Sequence, residues 1–128
     1  MKLLLDTHAF IWFTGDNFRL SPAARTALND PANELWLSDA SIWKMAIKVQ
    51  LGKLDFPQPF ETGIFEALQR TQVGVLPIAT RHVASVSSLP LLHRDPFDRI
   101  LVVQTQAESC TLVTHDPLIA PYGVPVLW

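Results

Sequence analysis

At 128 residues the chain is about one domain long, and its 48% hydrophobic residues supply the material for a sizeable core. Charged residues are only 17% and the formal net charge is −2, which excludes the broad basic surface of proteins that hold nucleic acid by charge alone. A local basic groove, or positive charge supplied by a metal ion, is compatible with that balance.

The chain opens on Lys2 to Leu5, a short apolar run closed by Asp6. This suits a buried strand and is too brief for the apolar core of a signal peptide. Thr7 to Thr14 continues apolar and is expected to pack as a helix or turn under the sheet. Ser21 before Pro22 is an N-cap with proline at the first helical position, so a helix is expected through about Leu28, ended by Asn29, Asp30 and Pro31. Glu34 to Ser38 alternates like a second strand. A largely apolar helix follows from about Ala40 to Gln50, closed by Leu51-Gly52-Lys53. Pro59 to Gln72 carries Phe60, Ile64, Phe65 and Leu68 at helical spacing.

Val73 to Ile78 predicts a third strand with Pro77 at its end. Ala79 to Ser87 predicts a short helix with His82, Val83 and Val86 facing inward. Asp95-Pro96-Phe97-Asp98 opens the clearest helix, which runs to about Ser109. The one cysteine, Cys110, admits no intrachain disulfide and reads as a buried thiol in a reducing compartment. Thr111 to Thr114 predicts a fourth strand ending at His115-Asp116, and Val124 to Leu127 a short last one. The tryptophans Trp12, Trp36, Trp43 and Trp128 are expected in the core rather than as base-stacking platforms. No apolar run approaches the roughly 20 residues that span a bilayer. The expected protein is a soluble, cytoplasmic, single domain over residues 1–128. Strands alternating with helices, apolar on both faces, place it in the α/β class with a mostly parallel sheet covered on both sides.

In such sheets ligands sit beyond the carboxyl ends of the strands. Asp6 directly follows the first predicted strand, and Asp116 follows the fourth by two residues. Asp98 lies in the first turn of the helix leading into that fourth strand, and a right-handed crossover puts this helix N-terminus at the same edge. Topology thus brings three carboxylates to one rim. Crowded carboxylates repel unless a cation sits between them. Hard oxygen donors select Mg²⁺ or Mn²⁺, and such a site activates water and stabilises in-line displacement at phosphorus. Taken singly, each acid also has an ordinary structural role. Asp98 resembles a capping-box acid behind Asp95, and Asp6 and Asp116 suit strand-end turns. His8 and His115 flank Asp6 and Asp116, which leaves a zinc hydrolase open. His82 and His93 read as structural or solvent-facing.

The stretches LLLDTHAFIW, SIWKMAIKVQLGKL, HRDPFDRILVVQTQ and LVTHDPLIAPYGVPVLW, in that order over nearly the whole chain, resemble the VapC-type toxins of the PIN-domain ribonucleases. The resemblance implies a three-layer α/β/α fold with a central parallel sheet and Mg²⁺- or Mn²⁺-dependent RNA endonuclease activity. It also implies a homodimer and neutralisation by a cognate VapB-like antitoxin. It maps the metal ligands onto Asp6, Asp98 and Asp116, with Asp95 as a partner or cap and Thr7 and Thr114 as hydrogen-bonding supports. This chain departs from the pattern at one position, where Lys44 stands in place of the family glutamate. There an ammonium would project toward the metal position and pair with the aspartates, weakening metal binding and catalysis. Lys44 and Lys48 are also like charges at i and i+4, a mildly unfavourable helix pair.

Local cations for RNA are sought in Lys48, Lys53, Arg94 and Arg99, and surfaces for the dimer or antitoxin among residues 10–28 and 40–65. Two other functions compete: a catalytically silent module that only binds its antitoxin, and a small metal-dependent phosphohydrolase.

Overall fold

A computed structural model of the protein describes residues 1–128. Five parallel strands, β1 (Lys2–Leu5), β2 (Glu34–Ser38), β3 (Gly74–Leu76), β4 (Thr111–Val113) and β5 (Val126–Leu127), form one sheet in the order β3-β2-β1-β4-β5. Six helices connect them: α1 (Thr7–Thr14), α2 (Pro22–Asn29), α3 (Asp39–Gln50), α4 (Phe60–Thr71), α5 (Thr80–Ser85) and α6 (Pro96–Ala107). The expected α/β/α architecture is the one observed.

The two-residue period of β1 explains the three layers. Leu3 and Leu5 point to one face, where they pack with Phe10, Leu28, Met45, Ile64 and Leu68. Leu4 points to the other, against Leu101, Val102, Leu112 and Ile119. All three leucines are fully buried, and burial of each side chain contributes about 1.5–3 kcal/mol. A strand flanked by apolar layers cannot use the alternating polar pattern of a half-solvated sheet, which is why β1 reads as a continuous apolar run.

Local signals set the helix ends. Ser21 caps α2 through Ala24 N–H at 3.0 Å, with Pro22 at the first turn. Ser38 caps α3 through Ala40 N–H, also at 3.0 Å. Gln72 ends α4 in the left-handed conformation, φ 57°. Strand β3 is only three residues long, shorter than the expected Val73 to Ile78, because Pro77 cannot donate to a ladder.

Two expectations fail. Val83 is 56% exposed, since the buried face of α5 is carried by His82 alone. Trp43 is not a core residue either, at 61% exposed, whereas Trp12, Trp36 and Trp128 are half-buried and pack against the core.

The strand order places the chain reversal between β1 and β4. From β1 the chain steps through β2 to β3, then crosses back to β4 and β5. The crevice beyond the carboxyl ends of β1 and β4 is therefore the topological switch point, where open α/β sheets bind ligands.

Candidate active site

A cavity of about 260 Å³ opens at that switch point, lined by Asp6, Thr7, His8, Trp12, Lys44, Asp98, His115 and Asp116. The three acids expected on one rim thus share one cavity with Lys44. Each is delivered by a different element. Asp6 is the N-cap of α1, and its Oδ1 accepts the Ala9 N–H at 2.8 Å. Asp116 lies three residues beyond β4; its Oδ1 accepts the Leu118 N–H at 2.9 Å, and its own N–H donates to Thr114 Oγ1 at 3.1 Å. Asp98 occupies the first turn of α6, where the N-cap is Asp95.

The capping arrangement separates the roles of Asp95 and Asp98. Asp95 Oδ1 accepts Phe97 N–H at 2.8 Å and Asp98 N–H at 3.4 Å. The reciprocal half of a capping box is missing, because the Asp95 N–H donates to His93 Nδ1 at 3.1 Å instead of to Asp98. The Asp98 carboxylate is therefore free to face the cavity. Lys44 Nζ donates to Asp95 Oδ2 at 2.8 Å and lies 3.8 Å from Asp98 Oδ2.

His93 is the site residue that sequence reasoning missed. It is buried, its Nε2 is 2.8 Å from Asp116 Oδ2 and 3.3 Å from Asp98 Oδ2, and its backbone N–H donates to the Tyr122 hydroxyl at 2.8 Å. His93, Asp98 and Asp116 form the tightest group of donor atoms, all within 4.8 Å of one another, and Asp6 stands outside that group on the cavity wall. The only sequence hint was its place two residues before the cap of α6. His8 and His115, the histidines that suggested zinc, do not join the donor group; His115 stacks on Trp128 and His8 lies tilted against Trp12.

The charges respond to this crowding. Burial drives the Asp98 carboxyl up to about 6, aided by the neighbouring Asp95 and Asp6 charges and only partly countered by Lys44 and His93. Burial likewise raises Asp6, against the hydroxyl of Thr114, the Ala9 N–H, and the neighbouring His8 and Lys44. At Asp116 burial acts upward, but the His93 and Leu118 hydrogen bonds outweigh it and hold the carboxyl below its ordinary value. At Lys44 burial acts downward, and the Asp95 hydrogen bond with the Asp98 and Asp6 charges outweighs it, raising the ammonium pKa. The pocket thus has more negative charge than its one lysine neutralises. Carboxylate oxygens from three elements fit a hard divalent cation, and Lys44 competes for the same carboxylates.

Of the cations expected to meet RNA, Arg99 is buried and committed, donating to Pro90 O at 2.9 Å, Tyr122 Oη at 3.3 Å and Leu89 O at 3.4 Å. Arg94 and Lys53 are exposed and Lys48 is half-buried. A larger cavity of about 480 Å³ lies at the opposite edge of the sheet. Its arginines are engaged, Arg25 with Asp16 and the Asn17 carbonyl and Arg70 with the Thr14 carbonyl.

The family pattern described as PIN domain matches residues 3–122 of the chain. Ribonuclease VapC22 of Mycobacterium tuberculosis (strain ATCC 25618 / H37Rv) is 29% identical over 125 residues, covering 96% of this chain and 93% of the relative. Among solved structures, VapBC2 from Rickettsia felis bound to a DNA fragment from its promoter aligns with a TM-score of 0.73 at 14% identity, covering 98% of this chain and 97% of the other. VapBC-1 from nontypeable Haemophilus influenzae aligns at 0.67 and 17%, covering 98% and 96%. At those identities the structural likeness carries the fold.

Proposed function

The chain belongs to the PIN-domain family, and from that premise we propose that it is an endoribonuclease acting as the toxin of a toxin–antitoxin pair. The observation that carries the proposal is the meeting of Asp6, Asp98 and Asp116 in one cavity at the switch point of a parallel sheet, in a chain similar over nearly its full length to a ribonuclease. The partner we assign is a VapB-like antitoxin, supported by the VapBC assemblies that share the fold. Phe18, Trp43, Leu51 and Phe65 are large exposed apolar side chains within the stretches expected to serve the antitoxin or a homodimer. No helix is long and apolar enough to cross a membrane.

Asp6, Asp98 and Asp116 would hold Mg²⁺ or Mn²⁺, whose chemistry when bound is activation of water and stabilisation of charge at the scissile phosphorus. The chain's own residues prepare the site. His93 ties Asp116 to the start of α6, and Thr114 supports the Asp116 backbone. Asp95 keeps its second oxygen on Lys44 while its first caps the helix.

Lys44 favours a second form of the proposal. Lys44 stands at the position that the family resemblance gives to a glutamate, and its ammonium pairs with Asp95 and Asp98. On that basis the chain is weakened as a nuclease, and in the limit is a silent module that binds its antitoxin. Mn²⁺ titration and RNA cleavage by the chain and by Lys44→Glu separate the two. Cleavage that rises on Lys44→Glu, and that Asp6→Asn abolishes, supports a nuclease restrained by Lys44. Equal cleavage by both proteins removes the role given to Lys44. Hydrolysis of small phosphate esters with no action on RNA would overturn the endoribonuclease assignment.

A further inference from the structure

Three aromatic rings, His8, Trp12 and His115, line the cavity beside the acids, and Trp128 lies behind them. His8 and Trp12 have ring centroids 5.4 Å apart at 32°. Trp12 meets Trp128 edge-on at 5.7 Å and 60°, and Trp128 stacks on His115 at 5.1 Å and 24°. The four rings form one continuous run, from the residue two beyond Asp6 to the residue before Asp116. Trp12 and Trp128 are half-buried and pack against the core. His8 and His115, at the two ends, are exposed and line the cavity with the acids.

Core packing accounts for Trp12 and Trp128 but not for His8 and His115, and metal binding accounts for neither of these histidines. Core aromatics are covered, whereas the outer rings here stand in solvent on the cavity wall. Histidine ligands converge on their ion with the other donors, yet the convergent histidine is His93. Exposed rings in contact with indoles suit another flat ring, because aromatic faces and bases gain by stacking.

The electrostatics point the same way. Protein–RNA affinity ordinarily comes largely from cations on phosphates. Here the net charge is −2, Lys44 is paired with Asp95, and Arg99 is committed to backbone carbonyls and Tyr122. An acidic cavity whose one lysine is already paired gains from a non-ionic source of substrate affinity. Stacking supplies one, and it tolerates any base, since every base has a π-face.

We infer that His8, Trp12 and His115, backed by Trp128, form a base-stacking subsite, which seats an unpaired nucleobase of single-stranded RNA beside the phosphate held at the acids. The inference rests on the endoribonuclease assignment above. It concerns how that substrate is held, because bases already stacked and paired in a duplex offer no free face.

The test is binding of a fluorescent, short single-stranded RNA by the full chain, with Ca²⁺ as the only divalent ion. Strands of the same sequence carry one abasic nucleotide moved along the chain. At one or two positions the abasic strand should bind about 5- to 100-fold more weakly, the range that one base–aromatic stack is worth. The duplex of the same sequence should bind more weakly than the single strand. The double variant His8→Ala/His115→Ala should treat intact and abasic strands alike, while His115→Phe, which restores a flat ring, should keep the discrimination. Thermal midpoints of the variants verify that each is folded. If the chain binds RNA but intact and abasic strands bind equally at every position, the stacking subsite is refuted and the endoribonuclease assignment stands. If neither the chain nor Lys44→Glu binds or cleaves RNA, that assignment fails and the subsite fails with it.

Discussion

His93 Nε2 donates to Asp116 Oδ2 across 2.8 Å, while its Nδ1 accepts the Asp95 N–H at 3.1 Å. The second bond selects the first: a ring nitrogen that accepts has no proton, so in the neutral imidazole the proton sits on Nε2. One buried ring therefore ties the segment after β4 to the cap of α6, and its Nε2 lies 3.3 Å from Asp98 as well.

A ring that orients ligands changes affinity when removed, and such supports are typically worth about 10- to 100-fold in metal binding. In the Lys44→Glu background, His93→Ala is expected to weaken Mn²⁺ binding by about that factor, measured by electron paramagnetic resonance of free Mn²⁺. His93→Gln, with Nε2 able to donate in the same direction, should recover part of the loss. Mere packing by His93 would instead lower the thermal midpoint and leave Mn²⁺ affinity unchanged.

Lys44 is the only cation among the residues lining the cavity. Because its pKa is raised above the unfolded value, its stabilising contribution is present in full at neutral pH. It is lost only as pH rises through the folded pKa. Lys44→Met leaves Asp95 and Asp98 facing each other without a counter-charge. The expected cost is about 1–2 kcal/mol at neutral pH, set between exposed and fully buried pairs. Urea unfolding measures it, and added Mn²⁺ should restore more stability to Lys44→Met than to the parent chain, since ligand binding to the native state stabilises it.

The order of elements was legible because the punctuation is local. Pro22 after Ser21, Pro96 after Asp95, and the apolar runs before Asp6 and His115 mark their elements without tertiary information. The convergence of Asp6, Asp98 and Asp116 was legible because parallel topology fixes which ends meet. His93 was not. Its contact with Asp116 spans 23 positions and depends on Tyr122 holding its backbone, and a single histidine in a loop has no periodicity to announce it. Trp43 misled for a related reason, being exposed and edge-on to Phe97. Hydrophobicity says that a ring prefers contact, but not whether the contact is a core or a neighbouring ring at the surface.

Arg99 illustrates the converse error, a charge that composition assigns to the surface and packing assigns to the interior. Arg99→Met leaves the Pro90 and Leu89 carbonyls without their donor and is expected to cost about 2–4 kcal/mol. Its folded fraction should bind RNA with an unchanged salt dependence. Arg94→Ala, at an exposed position, should leave stability within about 0.5 kcal/mol. If Arg94 touches a phosphate, the slope of log affinity against log salt should fall by about 1. An Arg99 variant that is fully stable yet loses salt-dependent RNA binding would reverse these two assignments.

Asp98 carries the clearest cost of the site. Its carboxyl is driven by burial from an ordinary 3.8 up to about 6, so the native chain holds a proton there that the unfolded chain has released. Native proton binding exceeds unfolded binding between those values, and stability from this group falls as pH rises from about 4 to 6, then levels off. Asp98→Asn removes the buried charge. Without divalent ions it should stabilise the fold at pH 7 by about 1–2 kcal/mol, a figure reduced for solvent screening of a partly exposed group. The gain should shrink through pH 6 and vanish near pH 4, where the native carboxyl is already neutral. Urea midpoints across that range check the sign. An Asp98→Asn chain no more stable than the parent at pH 7, or one whose advantage grows toward acid, would show that Lys44 and His93 already neutralise Asp98 without a metal. A saturating concentration of Mn²⁺ should reverse the order in the Lys44→Glu background, because the ligand that destabilises the empty site is the one that the cation needs.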